Sequence, residues 1–120
     1  MYYPICGTID YYTRYCVAWV DPELAHYYRS LVPKDRYIQK PMYPAHCTIV
    51  SKYDEKSEFY KQKKYQGKRL VLWYENIVQE SGPYFGLTVD SRAIERMRRE
   101  LGLSKLMGDK PYHITVGNNK

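Results

Sequence analysis

The chain predicts an α+β fold: a bilobal domain of two pseudo-symmetric strand–helix–strand lobes facing a central cleft. Three observations carry that expectation. A short apolar run ending in Val-Asp opens a helical pattern twice, at Ala18-Trp19-Val20-Asp21 and at Leu87-Thr88-Val89-Asp90. Each helical pattern is followed by Pro, one residue and His-x-Thr, at Pro44-Ala45-His46-Cys47-Thr48 and at Pro111-Tyr112-His113-Ile114-Thr115. The Val-Asp pairs stand 69 residues apart and the histidines 67 apart. Two unrelated signals recurring at nearly one offset point to an internal duplication. The lobe-forming repeats span about 15–51 and 69–117 of a single domain, 1–120.

The elements follow in order. Ile5 to Tyr11 reads as an extra N-terminal strand, and Tyr15 to Val20 is β-rich and aromatic. Asp21 is placed to cap a helix, with Pro22 at its first position and Glu23 favourable to the helix dipole. Leu24, Tyr27, Tyr28 and Leu31 fall at i, i+3, i+4 and i+7, which predicts the buried stripe, and Pro33 ends the helix. The first His-x-Thr strand comes next. Residues 52–68 are polar and charged and read as a surface excursion. Arg69 to Val78 is a long strand candidate, Glu80-Ser81-Gly82-Pro83 a turn, and Tyr84 to Val89 the next strand. Asp90 or Ser91 caps the second helix, which buries Ile94, Met97 and Leu101 and stops at Gly102. The arginines at 92, 96, 98 and 99 are expected on its solvated face. The second His-x-Thr strand closes the chain.

The 120 residues are 44% hydrophobic and 27% charged, which supports a packed core and excludes a disordered chain. No run of eighteen apolar residues occurs, so no membrane association is expected. The start, Met1-Tyr2-Tyr3-Pro4, lacks the pattern of a secretory signal. The three cysteines, at 6, 16 and 47, have no CxxC spacing, so neither a disulfide framework nor a cysteine zinc site is expected. A reduced, cytoplasmic setting fits. The net charge of +6 favours an anionic partner, most simply one bearing phosphate. Lys34, Arg36 and Lys40, and the run from Lys61 to Arg69, read either as an electrostatic funnel or as a solubilising surface. Tyr is unusually frequent, with 15 residues against two Trp and two Phe. Its apolar ring and polar tip suit a wet cleft.

Strand side chains alternate faces, so His46 shares a face with Thr48, and His113 with Thr115. The residues between them are apolar and suit a core. If the halves pair about a pseudo-two-fold, one cleft holds two imidazoles and two hydroxyls. Phosphodiester cleavage needs such a set. One imidazole takes a proton from the attacking hydroxyl or water, and the other gives one to the leaving oxygen. The hydroxyls of Thr48 and Thr115 can donate to the non-bridging oxygens. Either histidine can fill either role. The third, His26, lies within the first helix and reads as structural or surface. Cys47 faces the core and is not expected to act as a nucleophile.

The two motifs, His46-Cys47-Thr48-Ile49 and His113-Ile114-Thr115-Val116, resemble those of the 2H phosphoesterases, a superfamily named for its paired H-x-[TS]-x signatures. The resemblance covers about 15–117. It implies a bilobal, LigT-like α+β fold with antiparallel sheets and the four motif residues in a central groove. It also implies metal-independent action on nucleotide phosphodiesters, with no cofactor. The chain is further similar to small phage-encoded members, in its compact length, its Tyr27-Tyr28-Arg29 helix, its Pro41-Met42-Tyr43-Pro44-Ala45-His46 approach and its Tyr112 to Asn118 ending. Some of those resemble anti-CBASS enzymes, which degrade cyclic di- and trinucleotide signals of bacterial immunity. In some of them a long C-terminal extension carries substrate contacts, and no counterpart to it is expected in this chain.

A nucleobase needs an aromatic face, and stacking contributes about 1–3 kcal/mol per base. Tyr12, Tyr43, Trp73 and Tyr74 are the candidate substrate-binding rings. The expected enzyme hydrolyses a cyclic oligonucleotide in the cytoplasm, the host's if the chain is phage-encoded, with no obligate protein partner. Opening of 2′,3′-cyclic phosphates at RNA or tRNA ends is the alternative. A catalytically idle RNA- or partner-binding module is the rival from a different class.

Overall fold

A computed structural model describes residues 1–12, 14–51, 54, 63–105 and 111–120. Six strands dominate: β1 (Tyr2–Tyr12), β2 (Tyr15–Trp19), β3 (His46–Val50), β4 (Arg69–Ser81), β5 (Tyr84–Asp90) and β6 (Tyr112–Asn118). Two short helices, α1 (Pro22–Ser30) and α2 (Arg92–Glu100), join β2 to β3 and β5 to β6. All neighbouring strands are antiparallel, in the order β1-β2-β3-β6-β5-β4, and β4 returns to β1 to close a barrel.

This closed barrel overturns the bilobal α+β expectation. The chain is mostly sheet, with six strands in one closed barrel and two short α-helices among the described residues. The cause is β1, which the hydrophobic pattern offers only as an extra strand. It pairs with β4 from Tyr2↔Glu75 to Thr8↔Arg69 and with β2 from Thr8↔Trp19 to Tyr12↔Tyr15. That double pairing joins the two repeats along one side, and β3 joins β6 along the other. Closure removes every sheet edge. The element order β–β–α–β nevertheless occurs twice along the chain.

The helix ends follow their local chemistry. Asp21 caps α1 by accepting the Glu23 N–H at 3.0 Å. Ser91 rather than Asp90 caps α2, accepting the Ile94 N–H while its hydroxyl donates to the Val71 carbonyl of β4 at 3.0 Å. Gly102, at φ 72°, ends α2 in a Schellman motif: Leu103 N–H meets the Arg98 carbonyl at 2.9 Å and Gly102 N–H the Arg99 carbonyl at 3.0 Å.

Two buried stripes differ from the periodic reading. On α1, Ala25 and Tyr28 face the core, whereas Tyr27 and Leu31 are exposed. On α2, Arg98 is completely buried with Ile94 and Met97 instead of lying on the solvated face. It occupies the i+4 position of the same stripe, so the helix carries it inward whatever its charge. There its guanidinium donates to the carbonyls of Ser104 (2.7 Å) and Ile49 (2.8 Å) and pairs with Asp54 at 2.8 Å. Most of the run at 61–69 is described, but Lys61 and Gln62 lie outside the described residues, as does most of the excursion at 52–68.

Candidate functional site

The site grows out of the β3–β6 seam. Cys47 and Ile114 are fully buried and face each other across it. Alternation then turns His46 and Thr48 of β3, and His113 and Thr115 of β6, to the opposite, accessible face. An antiparallel ladder centred on Cys47↔Ile114 sets His46 beside Thr115 and Thr48 beside His113. The two histidines are diagonal neighbours, a relation that spans about 7–8 Å in such ladders.

The Pro-x-His spacing acquires a local meaning. His46 Nδ1 lies 2.8 Å from the Pro44 carbonyl, and His113 Nδ1 lies 3.3 Å from the Pro111 carbonyl. A carbonyl can only accept, so each Nδ1 carries the hydrogen. Nε2 of each ring is then the atom that accepts or delivers a proton. Both imidazoles are oriented by the same device, two residues upstream.

Trp19 stands across the β2–β3 ladder from His46, and their rings meet edge to face at 5.4 Å. The Trp19 Nε1–H donates to Asp10 at 2.8 Å, and the Gln66 amide donates to the other Asp10 oxygen at 2.8 Å. The indole N–H first, and the Gln66 amide second, hold the Asp10 carboxyl below its ordinary range. In the other half, Thr88 occupies the matching position across from His113.

A cavity flanks each side of the seam. One, of about 540 Å³, brings together His46, Thr48, Tyr12, Tyr43, Trp19 and Arg14. The other, of about 370 Å³, brings together His113, Thr115, Thr88, Gly86, Tyr84 and Gln79. Arg14, in the β1–β2 turn, lines the first, and Lys120 Nζ lies 4.7 Å from the ring centroid of Tyr84, which lines the second.

The structure therefore gathers His46, Thr48, His113 and Thr115, with Tyr12 and Tyr43 beside the first pair. It does not bring Trp73 or Tyr74 there. Trp73 lies in a separate depression with Tyr2, Val71 and Asp90, and Tyr74 packs against Tyr28 and Tyr3. His26 is exposed on α1 beside Arg29. The Cys47 thiol is pushed up to about 12 by burial, so it stays protonated. Among the described residues, no three His, Cys, Asp or Glu side chains gather as a metal site would require.

Trp19, Asp10 and Arg14 escape the motif-based reading. Trp19 does carry a signal in the repeat, since it stands one residue before the duplicated Val-Asp. Asp10 and Gln66 carry none, because only strand pairing brings them to the indole. Comparison of the chain with protein-family models, with curated proteins and with solved structures finds no match.

Proposed function

We propose that this chain is a metal-independent phosphodiesterase that cleaves nucleotide phosphodiesters with His46 and His113 as its acid–base pair. The observation that supports the reading is the accessible quartet on the β3–β6 seam, with both Nδ1 atoms occupied by backbone carbonyls. The neutral imidazole takes the proton of an attacking 2′-hydroxyl or water through Nε2. A new P–O bond forms, the bond to the leaving oxygen breaks, and the other imidazolium protonates that oxygen. Thr48 and Thr115 donate hydrogen bonds to the non-bridging oxygens, whose charge grows in the transition state. Neither step calls for a metal.

The substrate class we propose is a cyclic oligonucleotide signal, the class degraded by the enzymes that some of the similar phage-encoded proteins resemble. The setting is cytoplasmic. Its three free cysteines suit a reducing compartment, and no helix among the described residues is long and apolar enough to cross a membrane.

The test is a product analysis in EDTA with cyclic di- and trinucleotides and an RNA bearing a 2′,3′-cyclic end. Cleavage of a cyclic oligonucleotide, lost in His46→Ala and in His113→Ala, is the expected result. Opening of the RNA end alone moves the enzyme to RNA processing. Turnover that needs an added metal overturns the metal-free mechanism, and binding without turnover anywhere in the panel leaves a binding module.

A further inference from the structure

A second accessible surface lies across the barrel from the candidate site. In the ring β1-β2-β3-β6-β5-β4, the β1–β4 seam is opposite the β3–β6 seam. Leu70 and Leu72 of β4 face the core, so alternation turns Arg69, Val71, Trp73 and Glu75 outward. Their partners on β1 are Thr8, Cys6, Pro4 and Tyr2. Val71 and Trp73 are 44% and 46% exposed, Tyr2 is 40% exposed, and Pro4 and Cys6 lie bare between them. Arg92 and Ala93, at the start of α2, border a depression of about 410 Å³ beside Val71 and Trp73. Contiguous apolar surface of this kind marks a site of association.

The charges on this face come in opposite-sign pairs about its middle. Along β4 the outward row reads Arg69, Val71, Trp73, Glu75, so a cation and an anion end it about 20 Å apart. Beside that row, Asp90 stands across the ladder from Trp73. The Ser91 hydroxyl donates to the Val71 carbonyl at 3.0 Å, which brings the chain to the level of Val71, and Arg92 follows. A two-fold axis laid across the strands, midway between Val71 and Trp73, exchanges Arg69 with Glu75 and Asp90 with Arg92. A second copy related by that axis therefore meets opposite charges at both pairs, and Trp73 of each copy lies over Val71 of the other. Such self-complementarity is what a two-fold interface requires. Arg69 and Arg92 balance Glu75 and Asp90, so the face favours neither a polyanion nor a polycation.

We propose that the outward face of the β1–β4 seam binds a second copy of this chain, face to face, in a two-fold dimer with Trp73 at its centre. The inference does not rest on the phosphodiesterase reading. It leaves the His46–Thr48 and His113–Thr115 pairs of both copies open, on the far sides of the dimer. Stable interfaces bury about 800 Å² per partner, roughly a tenth of the 7786 Å² that this chain exposes. Two strands and one helix end lie at the small end of that range, so the dimer is expected to dissociate at micromolar concentration.

The test is sedimentation velocity of the full chain from about 1 to about 200 μM. Reducing agent is present, because the free Cys6 lies on the face. The 14.4 kDa chain should pass from monomer to a species of twice that mass as concentration rises. Trp73→Ala should weaken association by about thirtyfold or more, with unchanged far-ultraviolet circular dichroism. Tyr12→Ala, beside the candidate site, should leave it unaltered. Arg69→Glu and Glu75→Arg should each weaken it by about tenfold or more, because each sets like charges opposite one another twice in the dimer. Mixed in equal amounts, these two variants present opposite charges at both places and should associate again. A monomer at every concentration overturns the proposal, as does a dimer that Trp73→Ala leaves intact. Charge-reversed variants that stay apart on mixing overturn the two-fold arrangement. Hydrolysis in the EDTA panel, or its absence, bears on the enzyme and leaves the dimer as it stands.

Discussion

At the scale of single residues, the site depends on groups that orient other groups. Each imidazole of the proposed acid–base pair lies against a proline carbonyl two positions upstream, so on that proposal deleting either ring removes one proton-transfer partner and leaves the strand backbone in place. His46→Ala and His113→Ala should each lower kcat by about a hundredfold or more, with unchanged far-ultraviolet circular dichroism. Asp10 is a different kind of residue, since it acts on Trp19. Its carboxyl is held below its unfolded value by the indole N–H, so its contribution is complete above the ordinary carboxylate range. That contribution is lost as pH falls through the lower, folded value. In a Trp73→Phe chain, Trp19 emission should therefore shift with a midpoint below the ordinary carboxylate value. Asp10→Ala should show the shifted emission at neutral pH. An emission change centred at or above the ordinary carboxylate value would remove the proposed hold.

At the scale of elements, two close fits hold α2 and the C-terminal strand. Arg98 carries α2 onto the barrel through the carbonyls of Ile49 and Ser104 and through Asp54. Arg98→Ala leaves the Asp54 carboxylate buried and unpaired and should cost roughly 3–5 kcal/mol in urea denaturation. Arg98→Met with Asp54→Leu removes both charges and should recover most of that loss. At the end of β6, Gly117 touches the strand-like segment that bridges Gln39 to Asn118. A Cβ there would stand 2.5 Å from the Ile38 side chain and 2.9 Å from the Gln39 carbonyl oxygen. Because one of those atoms is backbone, Gly117→Ala should lower stability by about 1–3 kcal/mol, read as a fall in Tm.

At the scale of the molecule, barrel closure joins the two repeats in one continuous sheet, which should make them unfold as one unit. Trp19 belongs to the first repeat and Trp73 to the second, on β2 and β4, which flank β1. Chains with a single tryptophan, Trp73→Phe and Trp19→Phe, should unfold in urea at the same midpoint as circular dichroism reports. Separate midpoints would mean that the halves fold independently, and that β1 contributes little to joining them.

The sequence by itself determined the elements that depend on neighbours along the chain. The cap at Asp21, the stop at Gly102, the Gly82-Pro83 turn, the β-rich runs and the sharing of a face by His46 and Thr48 all follow from spacing of a few residues. The duplication was also legible, because 69 residues separate two copies of one local pattern. Arg98 was legible in principle: its place in the stripe with Ile94 and Met97 outweighs its charge. Only the tertiary structure decided how the strands pair. Whether β1 lies at an edge or bridges β2 and β4 depends on which of several similar apolar runs bury most surface together. Alternation along one strand carries no record of that choice. The same pairing brings Asp10 and Gln66 to Trp19, brings Trp19 to His46, and sends Trp73 and Tyr74 elsewhere. The shared face of the four motif residues was therefore readable from the sequence, while the walls around them were created by closure of the barrel.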